Sequence, residues 1–237
     1  MLPPPLHLTT LAFDADDTLW ENEVYFRHTE EELATWLADF ADRPTILAKL
    51  LENGKTNVRS HGFGMKTFTF SMIDTAIDVS GGKVSANVIA RILAAGKEML
   101  NHPVELLPDV RDTLERLALS YRLVLVTKGD LFHQEIKVQR SGLQGLFEGI
   151  EIVSDKNAAT YHRIFARHGE GPEHGMMIGN SLKSDIIPAI EAGSWGVYIP
   201  HELTWAFEHS EPPDREPRYR EIKAVSGLEA LLEQIKG

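Results

Sequence analysis

The chain has 237 residues, of which 43% are hydrophobic and 25% charged, the proportions of a soluble globular protein. Its 24 Lys and Arg against 35 Asp and Glu leave a formal net charge of −11, which argues against a nucleic-acid-coating surface and against an electrostatic membrane anchor. There is no cysteine, so disulfides, zinc–thiolate sites and thiol nucleophiles are excluded.

Leu8–Phe13 reads as a short buried strand ending on an acidic cluster, Asp14-Ala15-Asp16-Asp17-Thr18. From residue 21 to about 103 the pattern is helical throughout. Thr29-Glu30-Glu31-Glu32 has the form of a capping box, with Leu33, Trp36, Leu37 and Phe40 following on one face. Ala41–Leu51 is a predicted second helix that opens near Pro44 and stops by Asn53-Gly54, and His61-Gly62-Phe63-Gly64 is a predicted loop. Met72, Ile73, Ala76 and Ile77 mark a third helix closed by Gly81-Gly82, and Val88 to Leu100 a fourth. Trp36, Phe40, Met72 and Met99 are expected in the core of this stretch, and Asn22 is expected to cap a helix.

After Pro103 strands and helices alternate. Val110, Leu114 and Leu117 mark a helix, and Leu123–Val126 a strand ending at Thr127-Lys128-Gly129-Asp130. A helix to Gly142, a strand Ile150–Val153 and a helix from Asp155 to His168 follow. The strand Met176–Ile178 ends at Gly179-Asn180-Ser181, a helix ends at Ala192-Gly193, and Gly196–Ile199 is a last strand. Glu208–Glu221 reads as a surface loop, with Trp205 and Phe207 just before it as surface-packing or oligomer-contact residues. Ser226–Glu229 reads as a second capping box that opens a terminal helix. Such alternation predicts a parallel α/β sheet with helices on both faces. The helical insert after the first strand is far longer than the usual connection of about 2–6 residues. The expected organisation is an α/β core over residues 1–20 and 104–237, interrupted by an all-helical cap over 21–103.

Open parallel sheets bind ligands beyond the carboxyl ends of their strands. Those ends carry Asp14 and Asp16, then Thr127 and Lys128, then Asp155 and Lys156, then Asn180, Ser181, Ser184 and Asp185. Carboxylates with a lysine and hydroxyls suit a divalent cation plus a phosphoryl group, because Mg²⁺ prefers hard oxygens and lysine binds phosphate as a point charge. The ten histidines show no HExxH spacing, and no Ser–His–Asp signature is recognisable. A carboxylate nucleophile is the natural choice: Asp14 attacks phosphorus, and Asp16 protonates the leaving alkoxide and later activates water.

Asp14-Ala15-Asp16-Asp17-Thr18 resembles the first motif, DxDxT, of the haloacid-dehalogenase-like hydrolase superfamily. Thr127 is similar to the second motif, Lys156 to the third-motif lysine, and Gly179-Asn180-Ser181-Leu182-Lys183-Ser184-Asp185 to the fourth. The likeness runs through all four motifs in order, from residue 8 to about 200. It implies a Rossmann-like core with a mobile helical cap inserted after the first motif. It implies Mg²⁺ on the Asp14 carboxylate, the Asp16 carbonyl and the Asp185 carboxylate. It also implies Asp16 as general acid/base, with Thr127 and Lys156 on the phosphoryl group. Two positions depart from the pattern. Asn180 stands where Asp is frequent, and would orient a metal-bound water. Lys128 stands where Asn is frequent, and either adds a phosphate contact or faces solvent. Lys137 is a rival for the third-motif lysine, but Lys156 directly follows a strand.

Thr18, Lys128, Lys66 and Asn180 are the candidate substrate contacts, Lys66 lying in a Gly-rich stretch that is either a substrate-reading or a plain interhelix loop. The expected activity is Mg²⁺-dependent hydrolysis of a small phosphorylated metabolite through an aspartyl-phosphate on Asp14. A phosphomutase would keep every motif. A dehalogenase would have no use for Asp16, and phosphonate cleavage would need a cap lysine such as Lys66. A non-catalytic binding module would not require the acid/base. The N-terminus, Met1-Leu2-Pro3-Pro4-Pro5, lacks the basic and long apolar regions of a signal peptide, and no apolar run spans a bilayer. A cytoplasmic monomer or homodimer with no nucleic-acid or membrane partner is expected.

Overall fold

Four consecutive buried residues, Thr10–Phe13, form β1, the strand about which the sheet is organised. The computed structural model describes residues 7–203, 208 and 210–236. Among these, β1 is joined by β2 (Arg122–Lys128), β3 (Gly149–Val153), β4 (Gly175–Gly179), β5 (Trp195–Tyr198) and β6 (Tyr219–Glu221). All pairings are parallel, and the order is β3-β2-β1-β4-β5-β6. This is the Rossmann-like order.

Side-chain alternation explains why the central strands are apolar throughout: each is covered on both faces. Leu11, Phe13, Leu123, Leu125, Met176 and Ile178 pack on one face with α5 (Val110–Leu117) and α9 (Leu228–Lys236). Ala12, Val124, Val126 and Met177 pack on the other with α7 (Ala158–His168) and α8 (Ile187–Glu191). Because β1 lies between β2 and β4, the strand order reverses there, which is where ligands bind in open sheets. Phe13 is level with Leu125 and with Ile178. Asp14, Thr127 and Asn180 therefore all stand within two residues of that level.

The chain divides into two compact units. The sheet unit comprises Met1–Glu23, Val104–Lys128 and Gln134–Gly237; the helical unit comprises Val24–Pro103 and Gly129–His133. The helical unit holds most of α1 (Glu23–Trp36), then α2 (Arg43–His61), α3 (Met65–Ser80) and α4 (Ala86–Asn101). Leu33, Leu37, Ile46, Leu50, Met72, Ala76 and Ile92 form its core. The helix α6 (Leu131–Ser141) opens in the helical unit and ends in the sheet unit. No helix among the described residues is long and apolar enough to cross a membrane.

Several expectations are corrected. Thr29 is no cap: it lies inside α1, and its hydroxyl donates to the Tyr25 carbonyl at 3.0 Å. Asn53-Gly54 does not stop α2, which runs on to His61, so the loop begins only at Gly62. The Asn53 amide donates to Thr75 Oγ1 at 3.2 Å and Asp78 Oδ2 at 3.1 Å, and these tertiary bonds outweigh the weak helix propensity of the next glycine. Met72 and Met99 are buried, but α1 ends at Trp36 and leaves Phe40 exposed in the following turn. Trp36 is half-buried beneath the Arg91 guanidinium, 4.7 Å from its ring centroid. The helix predicted from Asp155 starts at Ala158, where Asn157 accepts the Thr160 amide. The predicted loop 208–221 contains β6, too short and charged to show as a strand pattern. Ser226 sits in a 3₁₀ turn ahead of α9. Trp205 and Phe207 lie outside the described residues.

Helices α3 and α4 approach closely at Gly96, where a Cβ would stand 2.3 Å from Thr69 Oγ1. That hydroxyl is tied to the Met65 carbonyl at 2.8 Å, so yielding would cost its hydrogen bond. Gly96→Ala is expected to destabilise the protein by about 1–2 kcal/mol in urea unfolding, overpacking exceeding the roughly 1 kcal/mol gained from alanine's helix propensity.

Candidate active site

The acidic cluster after β1 is wound into a tight turn. Asp17 adopts a left-handed conformation with φ 59°, and its amide donates to the Trp20 carbonyl at 2.8 Å. Its carboxylate accepts the amides of Asn22 at 2.8 Å and Glu23 at 2.9 Å, so Asp17 caps the start of α1. Burial pushes its carboxyl up to about 6, against the Glu23 amide bond. Asn22 does precede α1, but its side-chain oxygen accepts from Lys137 at 2.9 Å.

Asp14 and Asp185 share one lysine. Lys156 Nζ donates to Asp14 Oδ1 at 2.5 Å and to Asp185 Oδ1 at 2.7 Å, and all three side chains are buried. Burial raises the Asp14 pKa to about 7; Lys156 opposes this and the Asp185 charge adds to it. Burial alone would depress the lysine, but the two carboxylates overcome it and hold the ammonium above its usual range. Asp185 Oδ2 accepts the Ser181 amide at 3.0 Å. The buried Tyr161 hydroxyl donates to the Ser184 carbonyl at 2.9 Å and lies 3.4 Å from Asp185 Oδ1. Glycine is required at 179, because a Cβ there would stand 2.3 Å from Asp185 Oδ2.

Asp16 has a separate set of partners. Its Oδ1 accepts Trp20 Nε1 at 2.6 Å and the Lys137 ammonium, and its Oδ2 accepts Gln134 Nε2 at 3.1 Å. Burial alone would raise this carboxyl, but Lys137, Gln134 and Trp20 outweigh it and hold the pKa below the usual carboxylate value. The Gln134 nitrogen also donates to Thr127 Oγ1 at 2.7 Å and to the Lys128 carbonyl at 3.2 Å, joining the ends of β1 and β2.

Thr18 is fully buried, with its hydroxyl 3.4 Å from Asp14 Oδ2. The Asn180 amide is best satisfied with its nitrogen facing this group, 3.1 Å from Asp14 Oδ2 and 3.2 Å from the Asp16 carbonyl. Lys128 does not face solvent: Nζ donates to Ser184 Oγ at 2.7 Å and to Glu208 Oε1 at 2.5 Å. Lys66 belongs to the helical unit, where its ammonium is 3.0 Å from each oxygen of Asp130. A separate group, Asp17, Glu21 and His201, has ligand atoms within 4.8 Å of one another and differs from the trio nominated for Mg²⁺.

Sequence reasoning passed over Gln134, Trp20, Tyr161 and Glu208. Gln134 and Lys137 are three residues apart on α6, a spacing that puts them on one helix face but does not by itself point to Asp16. Glu208 carries no local signal.

The parallel Rossmann-like sheet thus carries two differently held carboxylates at its switch point, where open α/β sheets bind ligands. The model of the haloacid dehalogenase-like hydrolase family matches residues 8–193, and the chain belongs to that family. A haloacid dehalogenase-like family hydrolase from Xanthomonas campestris is 38% identical, with 100% of this chain and 95% of that one covered at a TM-score of 0.87. A glyceraldehyde 3-phosphate phosphatase from Methanothermobacter thermautotrophicus is 24% identical over 212 residues, 84% of this chain and 88% of that protein. A 2-haloacid dehalogenase from Pseudomonas syringae shares the fold at 23% identity and a TM-score of 0.63, covering 96% of this chain and 99% of that one.

Proposed function

We propose that the protein hydrolyses phosphate monoesters of small metabolites through an aspartyl-phosphate on Asp14. The observation that carries this reading is the separate housing of Asp16. Trp20, Gln134 and Lys137 hold this second carboxylate apart from the Lys156-bridged pair of Asp14 and Asp185, two residues beyond the nucleophile on the same strand end. Displacement of halide from carbon needs the nucleophile but not that second carboxylate. The phosphatase named among the relatives supports the same reading.

In this reading Asp14 attacks phosphorus and the ester P–O bond breaks. The departing alkoxide takes a proton from Asp16. The pKa of Asp16 lies low in the free protein, and the negative phosphoryl group arriving beside it raises it, favouring uptake of that proton from solvent. Asp16 then removes a proton from water, which attacks phosphorus and releases phosphate from Asp14. Thr127 and Lys156 hold the phosphoryl oxygens. The residues fit Mg²⁺: Asp14 Oδ2 and the Asp16 carbonyl both lie within 3.2 Å of the Asn180 nitrogen, so two hard oxygens converge beside the buried Asp185. The Asp14 and Asp185 carboxylates and the Asp16 carbonyl would hold the ion, which would supply charge neutralisation at the phosphoryl group. The helical unit is assigned the part of a cap that selects the leaving group.

The test is phosphate release from sugar phosphates, nucleotides and an aryl phosphate, run with Mg²⁺ and with a chelator, beside chloride release from a 2-chloroacid. Phosphate release that the chelator abolishes is expected. Chloride release without phosphate release would replace this reading with the dehalogenase one. Interconversion of phosphate isomers without free phosphate would indicate a mutase.

A further inference from the structure

We propose that Lys128, Ser181 and Ser184 form an oxyanion-binding cradle beside the catalytic carboxylates, and that Glu208 fills it as an internal ligand. Both oxygens of the Glu208 carboxylate are engaged. Lys128 Nζ reaches Oε1 at 2.5 Å, while Ser181 Oγ and Ser184 Oγ each reach Oε2 at 2.5 Å. Lys128 Nζ also donates to Ser184 Oγ at 2.7 Å, so the three donors form one connected set. One ammonium and two hydroxyls converging on two oxygens is the donor chemistry that recognises a carboxylate or a phosphate.

The donors and the occupant come from different parts of the sheet unit. Lys128 ends β2, directly after Thr127, and Ser181 and Ser184 belong to the turn after β4 that delivers Asp185. Glu208 comes from the segment between β5 and β6. The Lys128 and Glu208 side chains are only 15% and 14% exposed, so the pair is largely out of water. A largely desolvated ion pair gains little net stability over an apolar replacement, which leaves room for a functional reason to keep it.

An external oxyanion must displace Glu208 to enter, so its apparent affinity is reduced by the fraction of time that the cradle is open. Removing the internal competitor should therefore tighten anion binding. A Glu208 that merely held the fold would give the opposite result, since loosening the turn at Ser181–Asp185 would weaken every ligand there. That the exchanging anion is an acidic group of the substrate rests on the hydrolytic reading; the cradle itself does not.

The experiment is calorimetric titration of inorganic phosphate, with chelator present, into the wild type, Glu208→Gln, and Glu208→Gln combined with Lys128→Met. Glu208→Asp, which keeps the charge but shortens its reach, is the second variant, and thermal melting reports that each is folded. Glu208→Gln is expected to bind phosphate roughly tenfold tighter than wild type, the scale of one charge-assisted contact regained. Glu208→Asp should shift the same way by less, and the added Lys128→Met should cancel the gain. Phosphate binding in Glu208→Gln and Glu208→Asp no tighter than in wild type, or a gain that survives Lys128→Met, would overturn the cradle. The outcome is separable from the hydrolytic reading, because the gain is measured without turnover. A tighter Glu208→Gln in a protein that releases no phosphate from any ester would keep the cradle and remove the phosphatase.

Discussion

Asp14→Asn is expected to lower phosphate release by about four orders of magnitude or more, since a carboxamide cannot form the covalent intermediate. The same change should leave thermal stability near that of the wild type. Asn keeps the shape of the side chain, and Lys156 retains Asp185 as its counter-ion at 2.7 Å. A large kinetic loss with little change in melting would assign Asp14 to chemistry and not to folding. The pH profile gives a second reading of the same residue. Burial holds the Asp14 carboxyl at about 7 in the free protein, so kcat/KM should fall as the solution is made more acidic than that value and the nucleophile takes up a proton. A divalent cation beside the carboxylate favours its charged form, so raising its concentration should move that limb to lower pH. An Asp14→Asn protein that keeps wild-type turnover, or a limb indifferent to the cation, would remove Asp14 from the role given to it.

How much of this site is legible in the sequence depends on where each partner lies along the chain. Asp14, Thr127, Lys156 and Asp185 stand at or just beyond the ends of apolar runs, and in a parallel sheet those ends share one edge. The buried cluster of Asp14, Lys156 and Asp185 could therefore be sketched from strand spacing alone. Gln134 could not, because its importance comes from the direction of one amide that touches Asp16, Thr127 and Lys128 together. Glu208 was less accessible still, standing in a Pro- and charge-rich segment whose composition describes a solvated loop. The mistaken capping box at Thr29 has a related cause. The motif is local, whereas the start of α1 is capped from outside the helix by Asp17, at a turn whose left-handed residue the sequence does not announce. The helix α2 likewise outlasts its glycine through side-chain bonds to α3 that no local window contains.

Lys156→Met should be the most destabilising of the site substitutions, and its sign with pH follows from the charges it leaves behind. Lys156 is buried and pairs with both Asp14 and Asp185. Removing the cation strands two carboxylates out of water, and breaking a buried pair in this way costs about 3–5 kcal/mol. A carboxyl whose folded pKa lies above its ordinary 3.8 binds protons more tightly in the folded state than in the unfolded one. Stability from such a group is present below its unfolded pKa and is lost as pH rises through the folded value. In the wild type the raised Asp14 pKa is opposed by Lys156; in Lys156→Met that opposition is gone and the folded pKa moves higher still. The stability gap between the two proteins, measured by urea unfolding, is therefore expected to stay level up to about pH 7 and to widen above it, where the wild-type carboxyl has lost its proton and the variant's has not. Mg²⁺ should narrow it again, because an ion that binds only the folded state stabilises by mass action and would replace the lost positive charge. A gap that stays constant from pH 4 to pH 8 would mean that Lys156 contributes packing alone, and the paired carboxylates would then need another counter-ion.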